Sequence, residues 1–309
     1  TNYRSTADIV GFGNAIIAKN KKQIKKVLNV PAAKRHPVYF EVALTPEHEA
    51  ALVLDEIQQL HYNGLPYRQM AVLTRSATYI RTLFEHFVLK EIPVIDYTKQ
   101  GESFYDHDYI KRFIAAMRIS LNPNDADAIV LLGKLLYMQQ HTWQSIIEHA
   151  QFIIDDKSLF ERVMLQAASQ KAQRFQQDAI IRQMNAILRY RHQSPKEVLQ
   201  DLRTGSVNCE RQLEIDAART KTLHKEELRE LFDEFEVSIT RFRTIEEFLR
   251  FFERLQQKKR DMERMKNDPT IDAVPIMTIH SAKGLEFEAG LAIGGFEEIW
   301  PPFKALGKQ

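Results

Sequence analysis

Glycine and proline, the residues that interrupt helices and strands, are almost absent from the middle of this chain. Of its 309 residues, 11 are glycine and 11 are proline, yet only Gly133, Gly205, Pro123 and Pro195 fall between positions 106 and 265. A stretch of this length with so few breakers is typical of consecutive helices. We therefore predict an all-helical region there.

The apolar pattern inside this stretch also indicates helices. Ser194 precedes Pro195 and lies three residues before Glu197, which predicts a capping box with proline at the first helical position. Asp106 is a suitable N-cap for a helix whose apolar residues recur at helical spacing: Tyr109, Ile110, Phe113, Ile114 and Met117. Thr244 and Glu247 predict a second box, which opens an apolar face formed by Ile245, Phe248, Leu249, Phe252 and Leu255.

The two flanks of the helical stretch have a different pattern. Short β-prone runs lie at 38–44, 70–74, 93–97, 274–279 and 289–293, and helical patterns lie between several of them, at 6–19, 46–62 and 78–90. Strands that alternate with helices favour an α/β domain with a largely parallel sheet. Because strands occur on both sides of the helical stretch, we predict one α/β domain built by both ends, with a helical domain inserted into it.

Composition excludes several classes of protein. Lys+Arg is 43 and Asp+Glu is 41, so the net charge of +2 excludes a strongly cationic coat protein but allows a local nucleic-acid patch. Cys209 is the single cysteine, which excludes a disulfide scaffold and favours a reducing compartment such as the cytoplasm. No apolar run approaches the ~20 residues that span a bilayer. Thr1 is not a start methionine, so we expect a fragment of a longer chain.

Three segments carry groups suited to chemistry, although the chain has no GxxxxGK[ST] phosphate loop and no metal-ligand spacing. The segment 278–287 follows a predicted strand and places Thr278 and His280 at its carboxyl edge, where ligands bind in open α/β sheets. In the same segment Lys283 and Gly284 combine a cation with backbone that a phosphate can approach. The alternative is a polar turn in which Thr and Ser serve only as caps.

The other two segments are weaker when each is considered alone. In 2–6, Arg4 could bind a phosphate and Tyr3 could stack on a base. In 71–76, a strand ends in Thr-Arg-Ser, and Arg75, with Arg81 in the next helix, could hold a sugar–phosphate backbone. The alternatives are an N-terminal cap and ordinary surface charges.

Together, these segments resemble a known family. The order NYRST, AVLTRSA, FYDHDYIKRFIAAMRISLNPNDADA and IMTIHSAKGLEF resembles the UvrD/PcrA/Rep family of superfamily I DNA helicases. The resemblance implies the second RecA-like domain, a P-loop NTPase-like parallel sheet, in residues 1–104 and 269–309, interrupted by an all-helical domain in 105–268. It also implies that the phosphate loop and the Mg ligands lie on a first RecA-like domain, before Thr1.

The resemblance assigns a role to each matched position. Tyr3 is expected to stack on the adenine of ATP, and Arg4 to reach the γ-phosphate as an arginine finger. Lys283, Gly284 and Glu286 are expected beside the same nucleotide, with Glu286 near the ribose. The residues expected on single-stranded DNA are Arg75, Arg81, Thr278 and His280. No metal ligand is expected in this chain.

The expected function is ATP-driven translocation on DNA with 3′-to-5′ polarity, and the fragment alone should not hydrolyse ATP. The expected partners are single-stranded DNA and its junction with duplex, the chain's own first RecA-like domain, and a protein partner on the helical insertion. Two departures from the family bear on DNA contacts: Ala77 replaces a common Asn, and 132–138 has one glycine where a Gly-Ile-Gly hairpin often touches duplex. The alternatives are a recombination helicase–nuclease subunit and a non-catalytic helicase remnant that acts as a binding module.

Overall fold

The computed structural model describes residues 5–18, 37–75, 80–98, 104–136, 138–211, 214, 224–266, 268 and 270–294. The chain divides into two compact units. Unit 1 is discontinuous and comprises residues 1–98 and 265–309. Unit 2 comprises residues 99–264.

Unit 1 contains a four-stranded parallel sheet in the described part of the chain. Its strands are β1 (Met70–Thr74), β2 (Val94–Asp96), β3 (Val274–Thr278) and β4 (Ala289–Ile293), in the spatial order β2-β3-β1-β4. In β1 and β3 nearly every side chain is buried, which is typical of strands covered on both faces. The predicted α/β fold class with a parallel sheet is therefore confirmed.

The described residues of unit 1 also form three α-helices: α1 (Ala7–Ala18), α2 (Pro46–Tyr62) and α3 (Ile80–Leu89). Helix α2 begins after Thr45, whose hydroxyl accepts from the His48 amide at 3.1 Å, and Pro46 occupies the first helical position. Both α2 and α3 bury an apolar face, and they pack against each other. All three helices begin and end close to their predicted positions.

The strand predicted at 38–44 is wrong. Residues 37–43 have no regular secondary structure, and the side chains of Tyr39, Phe40 and Leu44 are 82%, 87% and 86% exposed. Strand propensity measures how well a side chain packs on a pleated, half-buried surface. This run has aromatic and branched side chains but makes no ladder with a neighbouring strand, so its propensity is not realised.

Unit 2 is helical throughout its described residues. Its helices are α4 (Asp108–Leu121), α5 (Ala126–Leu135), α6 (Gln140–Gln151), α7 (Leu159–Ser169), α8 (Arg174–Arg189), α9 (Pro195–Thr204), α10 (His224–Thr240) and α11 (Ile245–Met265). The capping box at α9 is confirmed: Ser194 Oγ accepts from the Glu197 amide, and the Glu197 carboxylate accepts from the Ser194 amide at 2.7 Å.

Two details of the predicted helix starts differ from the structure. Helix α4 is capped by His107, whose Nδ1 accepts from the Tyr109 amide, because Asp106 ends a short 3₁₀ turn instead. At α11, Thr244 caps the Glu247 amide as predicted, but the Glu247 carboxylate reaches back to the amide of Arg243 rather than to that of Thr244.

The core of unit 2 is rich in aromatic side chains. Phe113 of α4 packs edge-on against Phe232 of α10 at 5.0 Å between ring centroids, and Phe235 packs likewise against Phe248 of α11 at 5.8 Å. The fully buried Tyr105 hydroxyl bonds Ser238 Oγ at 2.7 Å. These rings join α4, α10 and α11. In neither unit is a described helix long and apolar enough to cross a membrane.

Candidate functional site

The candidate site in unit 1 lies where β1 and β3 end. Thr74 and Thr278 are the last residues of these strands and stand opposite each other in the ladder. The Ile279 amide donates to the Thr74 carbonyl at 3.0 Å, so the two strands separate only after this point. Arg75 follows Thr74 with an exposed side chain. The structure therefore brings two sequence-predicted residues, Arg75 and Thr278, to one edge of the sheet.

A compact turn follows β3. The Ala282 amide donates to the Thr278 carbonyl at 3.0 Å, and the Lys283 amide donates to the His280 carbonyl at 3.3 Å. Gly284 then adopts a φ of +93°, in the left-handed region that favours glycine, with no atom within 4 Å of the place where a Cβ would lie. Glycine is required here for its backbone conformation and not for lack of space.

The remaining predicted residues of this turn face solvent. The side chains of His280, Lys283 and Glu286 are all exposed. Within the part of the chain that the structure describes, the amides of His280 and Gly284 have no hydrogen-bond partner. The turn therefore combines an imidazole, an ammonium group and two available amide donors, which is the chemistry that binds an anion.

Ser281 also belongs to this site, although the sequence analysis named it only as a possible cap and did not assign it to a ligand. Its amide donates to Thr278 Oγ1 at 3.1 Å, and its Oγ lies 2.8 Å from the same Oγ1 atom. The spacing Thr-x-x-Ser at a strand end is the sequence signal that could have identified the pair, because hydroxyl side chains often bond to backbone a few residues away.

Arg81 has a partner within its own helix. Its Nη1 donates to Glu85 Oε1 at 3.0 Å, and the two side chains are 21% and 1% exposed. A carboxylate so deeply buried requires a compensating charge. This ion pair supplies one, so Arg81 has a structural role in α3, and its contact with DNA stays a prediction.

Several sequence-predicted positions lie outside the described residues. They include Tyr3 and Arg4, which were assigned to ATP, and Ala77, which marks a departure from the family. Among the residues that are described, no group of three His, Cys, Asp or Glu side chains could hold a metal ion.

In unit 2, the single glycine of the segment 132–138 has a packing role. Gly133 lies inside α5, and a Cβ on it would overlap the indole ring of Trp143. Trp143 is 3% exposed, and its Nε1 donates to the Ile129 carbonyl of α5 at 2.9 Å. Most of the 132–138 segment is therefore helix packed against an indole.

Comparison with known proteins identifies relatives along the whole chain. The family described as "UvrD-like helicase C-terminal domain" matches residues 1–307. The Bacillus subtilis (strain 168) protein YjcD is 27% identical over 300 residues, which cover 95% of this chain and 37% of YjcD. The "ATP-dependent DNA helicase PcrA" of Staphylococcus aureus (strain Mu50) is 26% identical over 328 residues, which cover 100% of this chain and 42% of PcrA. The chain thus spans about two fifths of the length of these relatives.

Proposed function

Since the chain belongs to the UvrD-like helicase C-terminal domain family, we propose that it is the C-terminal portion of an ATP-dependent DNA helicase. In this proposal unit 1 is the second RecA-like domain, and unit 2 is a helical domain inserted into it. The proposed boundaries follow the two compact units, at 98/99 and 264/265. They differ by a few residues from those expected from the sequence.

The observation that carries the proposal is the turn after β3 together with the end of β1. Arg75 and Thr278 flank adjacent strand ends, and His280 lies two residues farther along. A cation, a hydroxyl and an imidazole at the carboxyl edge of a parallel sheet suit the phosphates of a DNA strand, which such groups position without reading its sequence. We assign these three residues to the grip on single-stranded DNA.

ATP, bound with Mg²⁺, supplies the free energy in this proposal. The donor set of the turn fits a phosphate-bearing nucleotide, because Lys283 is exposed and the Gly284 amide is available. Glu286 is assigned to the ribose and Tyr3 to the adenine, by family resemblance. Arg4 is assigned to the γ-phosphate, where a planar and permanently charged guanidinium stabilises charge developed during phosphoryl transfer. The Mg²⁺ ligands are assigned to the first RecA-like domain.

The proposed mechanism is an equilibrium between an open and a closed arrangement of two domains, and the nucleotide shifts this equilibrium. Arg4 completes a site begun on the first RecA-like domain, so closure depends on the γ-phosphate. Loss of that phosphate releases Arg4, and the strand held by Thr278, His280 and Arg75 shifts relative to the first domain. The proposal also includes translocation with 3′-to-5′ polarity and action at a junction of single-stranded and duplex DNA. It further includes a protein partner on unit 2 and a cytoplasmic location.

The test is ATP hydrolysis by the complete parent polypeptide with and without single-stranded DNA. We expect strong stimulation by DNA in the wild type and its loss in Arg4→Ala, with little change in DNA affinity. Arg182→Ala is the matched control, because Arg182 is an exposed arginine of α8. An equal loss of turnover and DNA affinity in Arg4→Ala would contradict the separation of roles. Absence of stimulation in the wild type would favour a non-catalytic binding module.

A further inference from the structure

The hydroxyl groups of Thr278, at the end of β3, and Ser281, in the turn that follows, are hydrogen-bonded to each other. Thr278 Oγ1 accepts the Ser281 amide at 3.1 Å and lies 2.8 Å from Ser281 Oγ. The Thr278 side chain is half-buried and that of Ser281 is exposed. The hydrogen bond from the Ser281 amide is by itself enough to cap the turn. The second contact, between the two hydroxyl oxygens, therefore requires a separate explanation.

Counting protons and lone pairs shows what the pair can offer to a ligand. Each hydroxyl has one proton and two lone pairs, and one of the two protons lies between the oxygens. The pair therefore presents a single free O–H. If Ser281 donates to Thr278, both lone pairs of Thr278 Oγ1 are filled, because the Ser281 amide occupies the other. Thr278 is then left with its proton only.

Only this arrangement leaves Thr278 able to donate to an anion. A phosphate oxygen accepts hydrogen bonds and does not donate them. If Thr278 donated to Ser281 instead, its proton would be used within the pair, and Thr278 would have none left for a phosphate oxygen. The DNA contact proposed above for Thr278 therefore requires that Ser281 is the donor within the pair.

We propose that Ser281 is a positioning residue for the DNA contact of Thr278. Its hydroxyl donates to Thr278 Oγ1 and fixes the Thr278 hydroxyl as a donor to one phosphate oxygen of the bound strand. The proposal rests on the proposed function, because it requires that the edge formed by Thr278 and Arg75 holds single-stranded DNA. Ser281 itself acts through Thr278 and does not contact the DNA.

The test measures the affinity of the complete parent polypeptide for a fluorescent oligothymidylate at fixed salt. Ser281→Ala should weaken binding about two- to tenfold, the effect of one ordinary hydrogen bond. Thr278→Val should weaken it at least as much, and the double variant should bind like Thr278→Val alone. Ser281→Thr, which restores a hydroxyl, should bind like the wild type. Independent losses that multiply in the double variant, or unchanged affinity in Ser281→Ala, would overturn the proposal.

Salt dependence separates this role from a charged contact. A hydroxyl releases no counterion, so Ser281→Ala should keep the wild-type slope of log K against log salt, whereas Arg75→Ala should reduce the slope by about 0.7. Ser169→Ala, at the exposed end of α7, is the matched control and should change neither quantity. A reduced slope in Ser281→Ala would refute the positioning role. Failure of the wild type to bind the oligonucleotide would instead refute the proposed function.

Discussion

Replacement of Arg81 by alanine tests whether this arginine stabilises the fold or binds DNA. The Glu85 carboxylate, 3.0 Å from the guanidinium, is 1% exposed, whereas Arg81 is 21% exposed. Removing one partner of a buried ion pair costs about 3–5 kcal/mol, because the desolvated carboxylate loses part of its compensating charge. Water reaches Arg81 more easily than it reaches Glu85, so we expect the low end, about 3 kcal/mol. That loss is a large fraction of the stability of an ordinary domain.

Urea unfolding of this chain measures the predicted loss as a shift in midpoint at constant slope. The matched variant is Arg81→Met combined with Glu85→Leu, which replaces the pair by apolar side chains and should restore most of the lost stability. DNA binding under folding conditions supplies the second readout. A phosphate contact by Arg81 would reduce the salt slope by about 0.7 in the single variant. Destabilisation below about 1 kcal/mol together with that reduced slope would refute the structural role of Arg81.

Two further predictions concern unit 2 and its single cysteine. Gly133→Ala should destabilise the chain by about 1–3 kcal/mol, because the added methyl displaces Trp143; Gly11→Ala, in a helix with nothing within 4 Å of the new Cβ, should be neutral or stabilising in the same urea assay. Burial raises the pKa of Cys209 to about 12, so native protein should react with iodoacetamide far more slowly than unfolded protein, and rapid native labelling at pH 8 would contradict the buried thiol. Because the folded pKa is above the unfolded one, this thiol stabilises the fold at neutral pH, and its contribution should decline as pH rises from about 9 toward 12.

The elements predicted correctly from the sequence are those whose signal is local. Strands β1 and β3 are continuous apolar runs, which is the pattern of a strand buried on both faces. The Ser194–Glu197 box needs only two side chains and the backbone between them. The strand predicted at 38–44 failed because a strand requires a neighbour, and strand propensity carries no information about which segment supplies one.

The site shows the same division between local and tertiary signals. The i,i+4 spacing of Arg81 and Glu85 is visible in the sequence and suggests an ion pair on a helix surface. Its importance depends on the burial of Glu85, which arises from packing around α3 and has no sequence signature. The bond between Thr278 and Ser281 likewise depends on the turn that follows β3. Residue types could be selected from the sequence, but their partners could not.

The topology of the sheet explains why the two arms of the site must form together. Arg75 and Thr278 are separated by about two hundred residues of sequence. Strand β3 lies between β2 and β1, both of which precede unit 2 in the chain, so these two strands are not joined until the segment after unit 2 is inserted between them. Contacts of such large sequence separation form late because loop closure must come first. Loosening of β3 alone would therefore remove Thr278, Ser281 and the Ile279–Thr74 hydrogen bond from the site in one event. Arg75, at the end of β1, would then be left without the hydroxyl groups that β3 and its turn contribute.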